Sequence, residues 1–244
     1  MDATPLISIV VPVYNAGSYL RSCMDSLIGQ TLYDIEIICV LDCPTDGSDS
    51  VIEEYAAKDN RIVVIRNEEQ LHVGESRNVG MRAARGQYIG FSDHDDFHSL
   101  DMYENLWALT DHGQKNVVFS STTYIENNKK VTIKPCCCGS NNPTIETCAY
   151  SLYGLYNTLV TTNLYRKVFL ENNHIVFEDT RKIRAEDMLF NLSVLLNCTM
   201  QSIAWVNKSF YHHIMTESNF GQTYEYNRLT KQIVLTKKNF GIFR

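Results

Sequence analysis

The sequence predicts an α/β fold, in which a mixed, mostly parallel sheet is flanked by helices in a single domain. In the first half of the chain, short β-branched apolar runs alternate with segments whose apolar residues recur at helical spacing. The connections between them are short, as is typical of parallel strands joined by helical crossovers. The second half is less regular, so we expect one mixed sheet rather than two independent domains.

Each strand of the first half is predicted by an almost continuous apolar run, which is typical of strands buried on both faces. Ser48 is a good N-terminal cap for the second helix, and Gly86 ends the third. The predicted strands and helices of this half are Ile7–Tyr14, Ser18–Gln30, Ile35–Leu41, Ser48–Asp59, Arg61–Asn67, Gly74–Gly86 and Gln87–Asp93.

The second half places further helices and strands around one segment that lacks a clear period. Asn128–Thr147 has the composition of a long hairpin or mobile loop. The other predictions are a helix over Leu100–Gly113, a strand over Lys115–Asn127, a strand and a helix within Asn157–Asn173, a helix over Ala185–Cys198, two strands within Ser202–Ile214, and a polar helix from Tyr226 to the end.

Composition narrows the class of protein. The chain has 244 residues, 44% of them hydrophobic, and can bury a large core. Its net charge is −6 without a basic cluster, so no nucleic-acid partner is expected. The longest apolar run, Pro5–Tyr14, is too short for a transmembrane span and lacks the features of a signal peptide. We therefore expect a cytoplasmic protein, which could bind peripherally at the inner face of a membrane.

The chain contains eight cysteines, and no pair has the Cys-x-x-Cys spacing of a zinc site. Cys136 to Cys138 are contiguous, and the others are scattered. Cys23 and Cys39 fall at apolar positions, where a free thiol packs as a small hydrophobe. We therefore predict reduced thiols in a cytosolic compartment.

Polar clusters follow three of the predicted parallel strands: YNAGS after the first, DCPTDGS after the second and DHDD after the fourth. Because ligands bind outside the carboxyl ends of parallel strands, these clusters should converge on one edge of the sheet. Asp42 closes the second strand, where it could cap a helix or turn within DCPTDGS or accept a hydrogen bond from a nucleobase. The nucleobase interpretation competes well, because Asp46 and Ser48 are available to organise the turn.

Asp93, Asp95 and Asp96 concentrate negative charge at the end of the fourth strand. Two unit charges about 4 Å apart repel by about 4 kcal/mol at an effective dielectric constant of about 20. Either a carboxylate takes up a proton or a cation lies there, and carboxylate oxygens suit Mg²⁺ or Mn²⁺. The alternative is a solvated acidic turn in which Asp96 caps the following helix.

Charged residues also stand on two predicted helices. Arg77 is either a surface arginine or helix-capping partner or, if its helix packs beside the acidic strand, a partner of carboxylates or phosphate. Glu186 and Asp187 open a later helix, whose dipole stabilises the ionised carboxylates. From these residues alone, the favoured interpretation of the pair is that it complements the helix N-terminus.

The segments ISIVVPVYN, EIICVLD, VGESRNVGMRAARGQYIGFSDHDD and AEDMLF occur in this order along the chain. Together, over Ile7 to Ser218, they resemble the family 2 inverting glycosyltransferases. The resemblance implies the GT-A fold, a nucleotide-sugar donor such as a UDP-sugar, and Mn²⁺ or Mg²⁺ as cofactor. It also implies transfer of the sugar to a hydroxyl of a saccharide or lipid-linked saccharide in cell-surface polysaccharide synthesis.

The same resemblance implies roles for individual residues. Asp187 is the general base on the side of the sugar opposite the leaving diphosphate. Asp95 is the direct metal ligand, and Asp93 is a second ligand nearer the ribose. Asp42 binds the uracil ring. Pro12, Tyr14 and Asn15 line the nucleoside, and we add Arg77 as a donor-binding candidate because of its position.

The chain departs from the family pattern in three places. The usual Asp-Asp-Gly-Ser after the second strand is replaced by the segment 41–44, Leu-Asp-Cys-Pro, so that the loop must be rebuilt around proline. His94 fills the variable position of the Asp-x-Asp motif, where it could tune the metal, contact the donor sugar or point away. His213 lies where relatives often supply a basic residue to the diphosphate, and a structural histidine is the alternative.

Two other functions compete with the transferase. A nucleotidyltransferase would need a glycine-rich basic phosphate loop after the first strand, where only Gly17 and Arg21 occur. A non-catalytic nucleotide- or sugar-binding relative would not need the aspartates at the ligand edge and at position 187. The predicted divisions are a transferase domain (1–225), made of a nucleotide-sugar-binding half (1–98) and an acceptor-binding half (99–225), and a C-terminal helical segment (226–244).

Overall fold

The computed structural model describes residues 4–126, 129–135, 143–152, 159–183 and 185–214. The cysteine triplet, the predicted helix from Tyr226 and the last residues of the 1–225 division lie outside this part of the chain. The proposed division into two halves and a C-terminal segment therefore stays a prediction.

The elements alternate through the first half as predicted, with ends that differ by a few residues. The strands are β1 Ile7–Val13, β2 Ile35–Leu41, β3 Ile62–Arg66, β4 Tyr88–Phe91, β5 Phe97–His98, β6 Val117–Glu126, β7 Lys129–Ile133, β8 Leu164–Arg166 and β9 Ile203–Ile214. The helices are α1 Tyr19–Ile28, α2 Ser48–Ala56, α3 His72–Ala83, α4 Met102–Ala108, α5 Ile145–Ser151, α6 Lys167–Asn172 and α7 Glu186–Leu196.

The strands form one mixed sheet in the order β3-β2-β1-β4-β8-β6-β9-β5, with β7 paired to the far end of β6. β3, β2, β1 and β4 are mutually parallel, and β6 and β9 are parallel to each other. β8 runs antiparallel to both β4 and β6, and so joins the two parallel groups. The predicted mixed, mostly parallel sheet is confirmed.

Two details of the second half differ from the sequence prediction. The two strands expected within Ser202–Ile214 are a single strand, β9, which keeps its pairing with β6 across register shifts around Ser121. Bulges absorb extra residues without ending a strand, so the polar interruption at Asn207 and Lys208 does not divide it. The segment expected to be a long hairpin or mobile loop contains β7, which pairs antiparallel with β6 in agreement with a hairpin, but it also contains the start of α5, which was not expected.

Helices cover both faces of the sheet because consecutive residues of a buried strand point to opposite sides. Val10 of β1 packs in the cluster formed with α3, α5, α6 and α7, whereas Ile9 and Val11 pack in the cluster formed with α1, α2 and α4. Every residue of β1 and β2 is buried, as their continuous apolar sequences predict. The polar ends of these strands are therefore held on a rigid support.

Helix α3 approaches β1 closely through Gly80. A Cβ atom added to Gly80 would lie 2.2 Å from Cγ1 of Val10, which is far shorter than any real contact. The absence of a side chain at this position lets the helix pack directly on the strand. This contact sets the height of α3 over the sheet, and α3 carries Arg77.

We expect Gly80→Ala to destabilise the protein by about 1–3 kcal/mol, because the added methyl group overpacks the interface with Val10. The cost should appear although alanine favours a helix over glycine by about 1 kcal/mol. Urea unfolding followed by circular dichroism would measure it. The control is Ser50→Ala on the exposed face of α2, which should change stability by less than about 0.5 kcal/mol. Equal stability of both variants would contradict the close packing.

Candidate active site

The loops after β1 and β2 are joined by side-chain hydrogen bonds at the carboxyl edge of the sheet. The Thr45 N–H donates to Oδ1 of Asn15 at 2.8 Å, and the Gly17 N–H donates to Oδ2 of Asp46 at 2.9 Å. Asp46 also accepts hydrogen bonds from the backbone N–H and hydroxyl of Ser48. Asp46 and Ser48 therefore organise the turn, as the sequence predicted, and Asn15 is used to tie the two loops together.

Asp42 is buried at the end of β2 and does not cap its own turn. Its Oδ1 accepts hydrogen bonds from Nδ2 of Asn67 and the N–H of Leu71, both at 2.7 Å, and its Oδ2 accepts one from the N–H of His72 at 2.9 Å. Asp42 is thus not a cap within its own DCPTDGS loop, but it accepts the N–H of His72, the first residue of α3. Because a carboxylate oxygen can accept two hydrogen bonds, Oδ2 retains capacity for an N–H of a ligand.

Three residues at this edge adopt left-handed backbone angles although they are not glycine. They are Asn15, Cys43 and His72, with φ of 46°, 56° and 64°; the other such residues in the described ranges lie in the second half of the chain. This conformation costs roughly 1–2 kcal/mol for a residue with a side chain. Backbone strain of this kind clusters at functional sites, where the surrounding structure holds it.

Asp96 serves the sheet and does not cap a helix. It is buried, and its carboxylate accepts hydrogen bonds from the Tyr211 hydroxyl at 2.5 Å, Nδ1 of His213 at 2.8 Å and the Ile214 N–H at 2.8 Å. All three donors belong to β9. The helix-cap interpretation of Asp96 is therefore wrong, because this aspartate anchors the end of β9 beside the acidic loop.

The other two aspartates of the loop differ in the hydrogen bonds that their carboxylates accept. Asp93 accepts a hydrogen bond from Nη2 of Arg77 at 2.8 Å through Oδ1. Asp95 makes no hydrogen bond within the described ranges. His94, between them, hydrogen-bonds through Nδ1 to the Pro12 carbonyl at 3.1 Å, so Nδ1 carries the proton. The histidine thus turns toward β1 and leaves Asp95 as the carboxylate of this loop without a described hydrogen bond.

Arg77 joins the acidic loop to the first turn of α7. Its guanidinium is buried, and Nη1 donates to Oδ1 of Asp187 at 2.5 Å while Nη2 donates to Asp93. Nη1 also lies 3.9 Å from Oε1 of Glu186. The surface-arginine interpretation is wrong. The sequence predicted carboxylates or phosphate as the partners of a packed Arg77, and the contacts described are with carboxylates.

Asp187 is bound from outside its own helix, which simple complementation of the helix N-terminus does not explain. Its Oδ2 accepts a hydrogen bond from the Val160 N–H at 3.3 Å. Burial raises the pKa of Asp187 above its usual range, and Arg77 opposes that rise. Burial and the adjacent charge of Asp187 raise the pKa of Glu186 to about 7. Carboxylates with raised pKa values are better proton acceptors near neutral pH.

The chain is similar to known proteins of one family. Residues 8–170 match the model of the family described as glycosyl transferase family 2. The chain belongs to this family. It is 35% identical over 193 residues to the uncharacterised glycosyltransferase EpsJ of Bacillus subtilis, which covers 78% of this chain and 56% of that relative. It is 30% identical over 203 residues to a poly(ribitol-phosphate) beta-glucosyltransferase of Bacillus spizizenii, which covers 81% of this chain and 31% of that relative.

Solved structures confirm the GT-A glycosyltransferase fold. The crystal structure of Staphylococcus aureus TarS 1-349 in complex with UDP-GlcNAc matches with a TM-score of 0.73 and 26% identity, over 86% of this chain and 59% of that chain. The chain thus spans only part of the length of the family members that it matches. Separately, no helix within the described ranges is long and apolar enough to cross a membrane.

The Mg²⁺ or Mn²⁺ that the sequence resemblance implies would have to be held by few protein ligands. In the described part of the chain, no three His, Cys, Asp or Glu side chains are gathered into a complete metal site. Within the acidic loop, Asp95 and the second oxygen of Asp93 lack a hydrogen bond in these ranges. This donor set fits Mg²⁺ or Mn²⁺, since Mg²⁺ commonly uses one or two carboxylates together with phosphate oxygens.

His213 has a buried structural partner at the same edge. Burial alone would lower the pKa of His213, but its hydrogen bond to Asp96 and the charges of Asp96, Asp93 and Asp95 outweigh burial and raise the pKa to about 9. Burial raises the pKa of Asp96 as well, yet the three donors around its carboxylate favour the ionised form. We therefore treat the two as a charged pair near neutral pH.

This pair predicts a pH-dependent stability. Because the folded-state pKa of His213 lies above its ordinary value of 6.5, its stabilisation is complete below pH 6.5 and is lost as the pH rises through about 9. The loss should reach up to about 3.5 kcal/mol, at about 1.4 kcal/mol per pKa unit. Urea unfolding at several pH values should show this decline in the original protein and not in His213→Asn. The exposed-site control His174→Asn should retain the decline, and its absence from the original protein would contradict the pairing.

Proposed function

We propose that this chain is a metal-dependent inverting glycosyltransferase, which moves a sugar from a UDP-sugar to a hydroxyl of a saccharide or lipid-linked saccharide. The observation that carries the proposal is the bridge formed by Arg77. It holds Asp93, at the end of a donor-edge strand, beside Asp187, at the start of α7. The proposed donor-binding carboxylate, Asp93, and the proposed proton acceptor, Asp187, are thus held by the same guanidinium.

The donor would bind along the carboxyl edge of the first strands. Pro12, Tyr14 and Asn15 are proposed to line the nucleoside, and Asp42 to accept the uracil N–H through Oδ2. Asn67 and His72 were missed by sequence reasoning, and both act here by fixing the Asp42 carboxylate. Their chemistry is not visible from spacing, because the contacts depend on how the loop after β3 folds back.

The chemistry requires a proton acceptor on the acceptor side of the sugar. In an inverting displacement, the acceptor oxygen attacks the anomeric carbon from the face opposite the diphosphate, and its proton passes to a base. We assign that base as Asp187, whose burial and raised pKa suit it to take a proton. General-base assistance is commonly worth about 10²–10⁴-fold in rate.

Asp95 and Asp93 would hold the divalent cation, which would supply Lewis-acid stabilisation of the charge that develops on the departing diphosphate. Of the two, Asp95 has both carboxylate oxygens free of other described partners, and Asp93 shares one oxygen with Arg77. We therefore expect Asp95 to dominate metal-dependent binding.

The names of the similar proteins support a proposal for the substrate class. TarS was crystallised with UDP-GlcNAc, and another relative is a beta-glucosyltransferase that acts on poly(ribitol phosphate). We propose by analogy a UDP-hexose or UDP-N-acetylhexosamine donor and an acceptor from cell-surface polysaccharide synthesis. A location in the cytoplasm, with peripheral contact at the inner membrane face, would give access to both UDP-sugars and lipid-linked acceptors.

We expect Asp95→Asn and Asp187→Asn to separate donor binding from catalysis. By calorimetry with Mn²⁺, Asp95→Asn should weaken UDP binding at least about 10-fold, because a metal ligand is lost. Asp187→Asn should keep the Kd within about threefold and slow UDP release from UDP-GlcNAc or UDP-glucose by about 10²–10⁴-fold.

Asp34→Asn is the matched control, since Asp34 is exposed before β2, far from the carboxyl edge; it should change neither quantity. Near-normal turnover of Asp187→Asn would show that the base is assigned wrongly. Tight UDP binding without UDP release from any UDP-sugar, under conditions that support folding, would instead favour the non-catalytic binding module.

A further inference from the structure

The buried guanidinium of Arg77 does more than neutralise a carboxylate, because its two terminal nitrogens bind carboxylates from different elements. Asp93 follows β4, and Asp187 lies on α7. The planar guanidinium fixes the direction of both hydrogen bonds at once, so it also fixes the spacing between the two side chains. A lysine ammonium would not impose this geometry.

We propose that Arg77 is a positioning residue, which holds the base Asp187 at a set distance from the donor-side Asp93 and does not itself bind the donor phosphates. This inference rests on the proposed function. It assigns Arg77 an effect on the rate of transfer, exerted through Asp187, rather than on donor affinity.

The third guanidinium nitrogen of Arg77, Nε, also indicates that the two carboxylates determine the orientation of this side chain. Nε of Arg77 is buried and has no hydrogen-bond partner within the described ranges. A buried polar group without a partner is costly. The orientation of the Arg77 side chain therefore leaves the Nε–H unpaired and directs both Nη groups at Asp93 and Asp187.

The charges around Arg77 also disfavour a direct phosphate contact. Asp93, Glu186 and Asp187 surround one guanidinium at 2.8, 3.9 and 2.5 Å. A diphosphate approaching the same nitrogens would have to displace a carboxylate and would be repelled by those that remain. The positive charge of Arg77 is thus already used within the protein.

A second contact from α3 holds the same part of α7. Asn78 pairs with both backbone groups of Phe177: its Nδ2 donates to the Phe177 carbonyl at 2.9 Å, and the Phe177 N–H donates to Oδ1 at 2.8 Å. The Phe177 ring lies 5.2 Å from the guanidinium carbon of Arg77 and stacks at 4.1 Å on Phe190 of α7. Arg77 therefore fixes α7 through Asp187. The adjacent Asn78 fixes α7 through Phe177, whose ring stacks on Phe190.

The test is a double-mutant cycle with Arg77→Lys and Asp187→Asn. Arg77→Lys keeps the positive charge and loses the planar arrangement of the two Nη donors. It should lower kcat for UDP release by about 10²-fold, as expected for a displaced reacting group, while the Kd of UDP with Mn²⁺ changes by less than about threefold. In the Asp187→Asn background, Arg77→Lys should slow single-turnover release by less than about twofold, because its effect requires the base.

Arg82→Lys is the matched control. Arg82 lies on the same helix, is exposed, and pairs with Glu75; its replacement should leave kcat and Kd unchanged. If Arg77→Lys does not fold, as judged by its melting temperature, Phe177→Leu replaces it in the cycle. That change removes the ring under the guanidinium and should lower kcat about 10-fold without weakening UDP binding.

Three outcomes would overturn the proposal. One is UDP binding weakened at least about 10-fold by Arg77→Lys, which would make Arg77 a phosphate ligand. Another is an undiminished effect of Arg77→Lys in the Asp187→Asn background, and the third is an unchanged kcat. A failure of the proposed function is distinct, because Asp187→Asn would then itself turn over at a near-normal rate.

Discussion

The ion pairing of Arg77 with Asp93 and Asp187 is the interaction on which the site depends. It brings a residue at the end of β4 against a residue at the start of α7, across the face of the sheet that α3 and α7 share. Breaking a buried pair on one side leaves an uncompensated charge, which is typically costly by about 3–5 kcal/mol. The geometry of the site and the packing of the two helices are therefore maintained together, and the missing side chain at Gly80 permits both.

The acidic loop shows how adjacent aspartates acquire different tasks. Asp96 is saturated by three donors from β9, Asp93 is half occupied by Arg77, and Asp95 has no described partner. Sequence alone presents them as one cluster of like charge. Only the direction of each side chain, set by the turn after β4, shows that one stabilises the sheet, one links the site together and one stays open.

The sequence predicted the parallel half of the fold well, because β1 and β2 are buried on both faces and their apolar runs are unambiguous. It also placed Asp42, Asp93 and Asp95 on one edge. It could not predict contacts such as Arg77 with Asp187 or Asn67 with Asp42, which join segments distant along the chain. Strand β9 was misjudged because its polar interruption looks like a turn, whereas the bulge is set by pairing with β6.

The distribution of charge at the carboxyl edge bears on how a nucleotide diphosphate could be held. Arg77 is occupied by carboxylates, and His213 is paired with Asp96. The positive charges of Arg77 and His213, which lie beside the acidic loop, are therefore already balanced by carboxylates of the protein. A diphosphate would add negative charge beside Asp95, and attraction requires a further cation there. A divalent cation held there would offset both negative charges, which is why we propose Asp95 as the residue that would hold it.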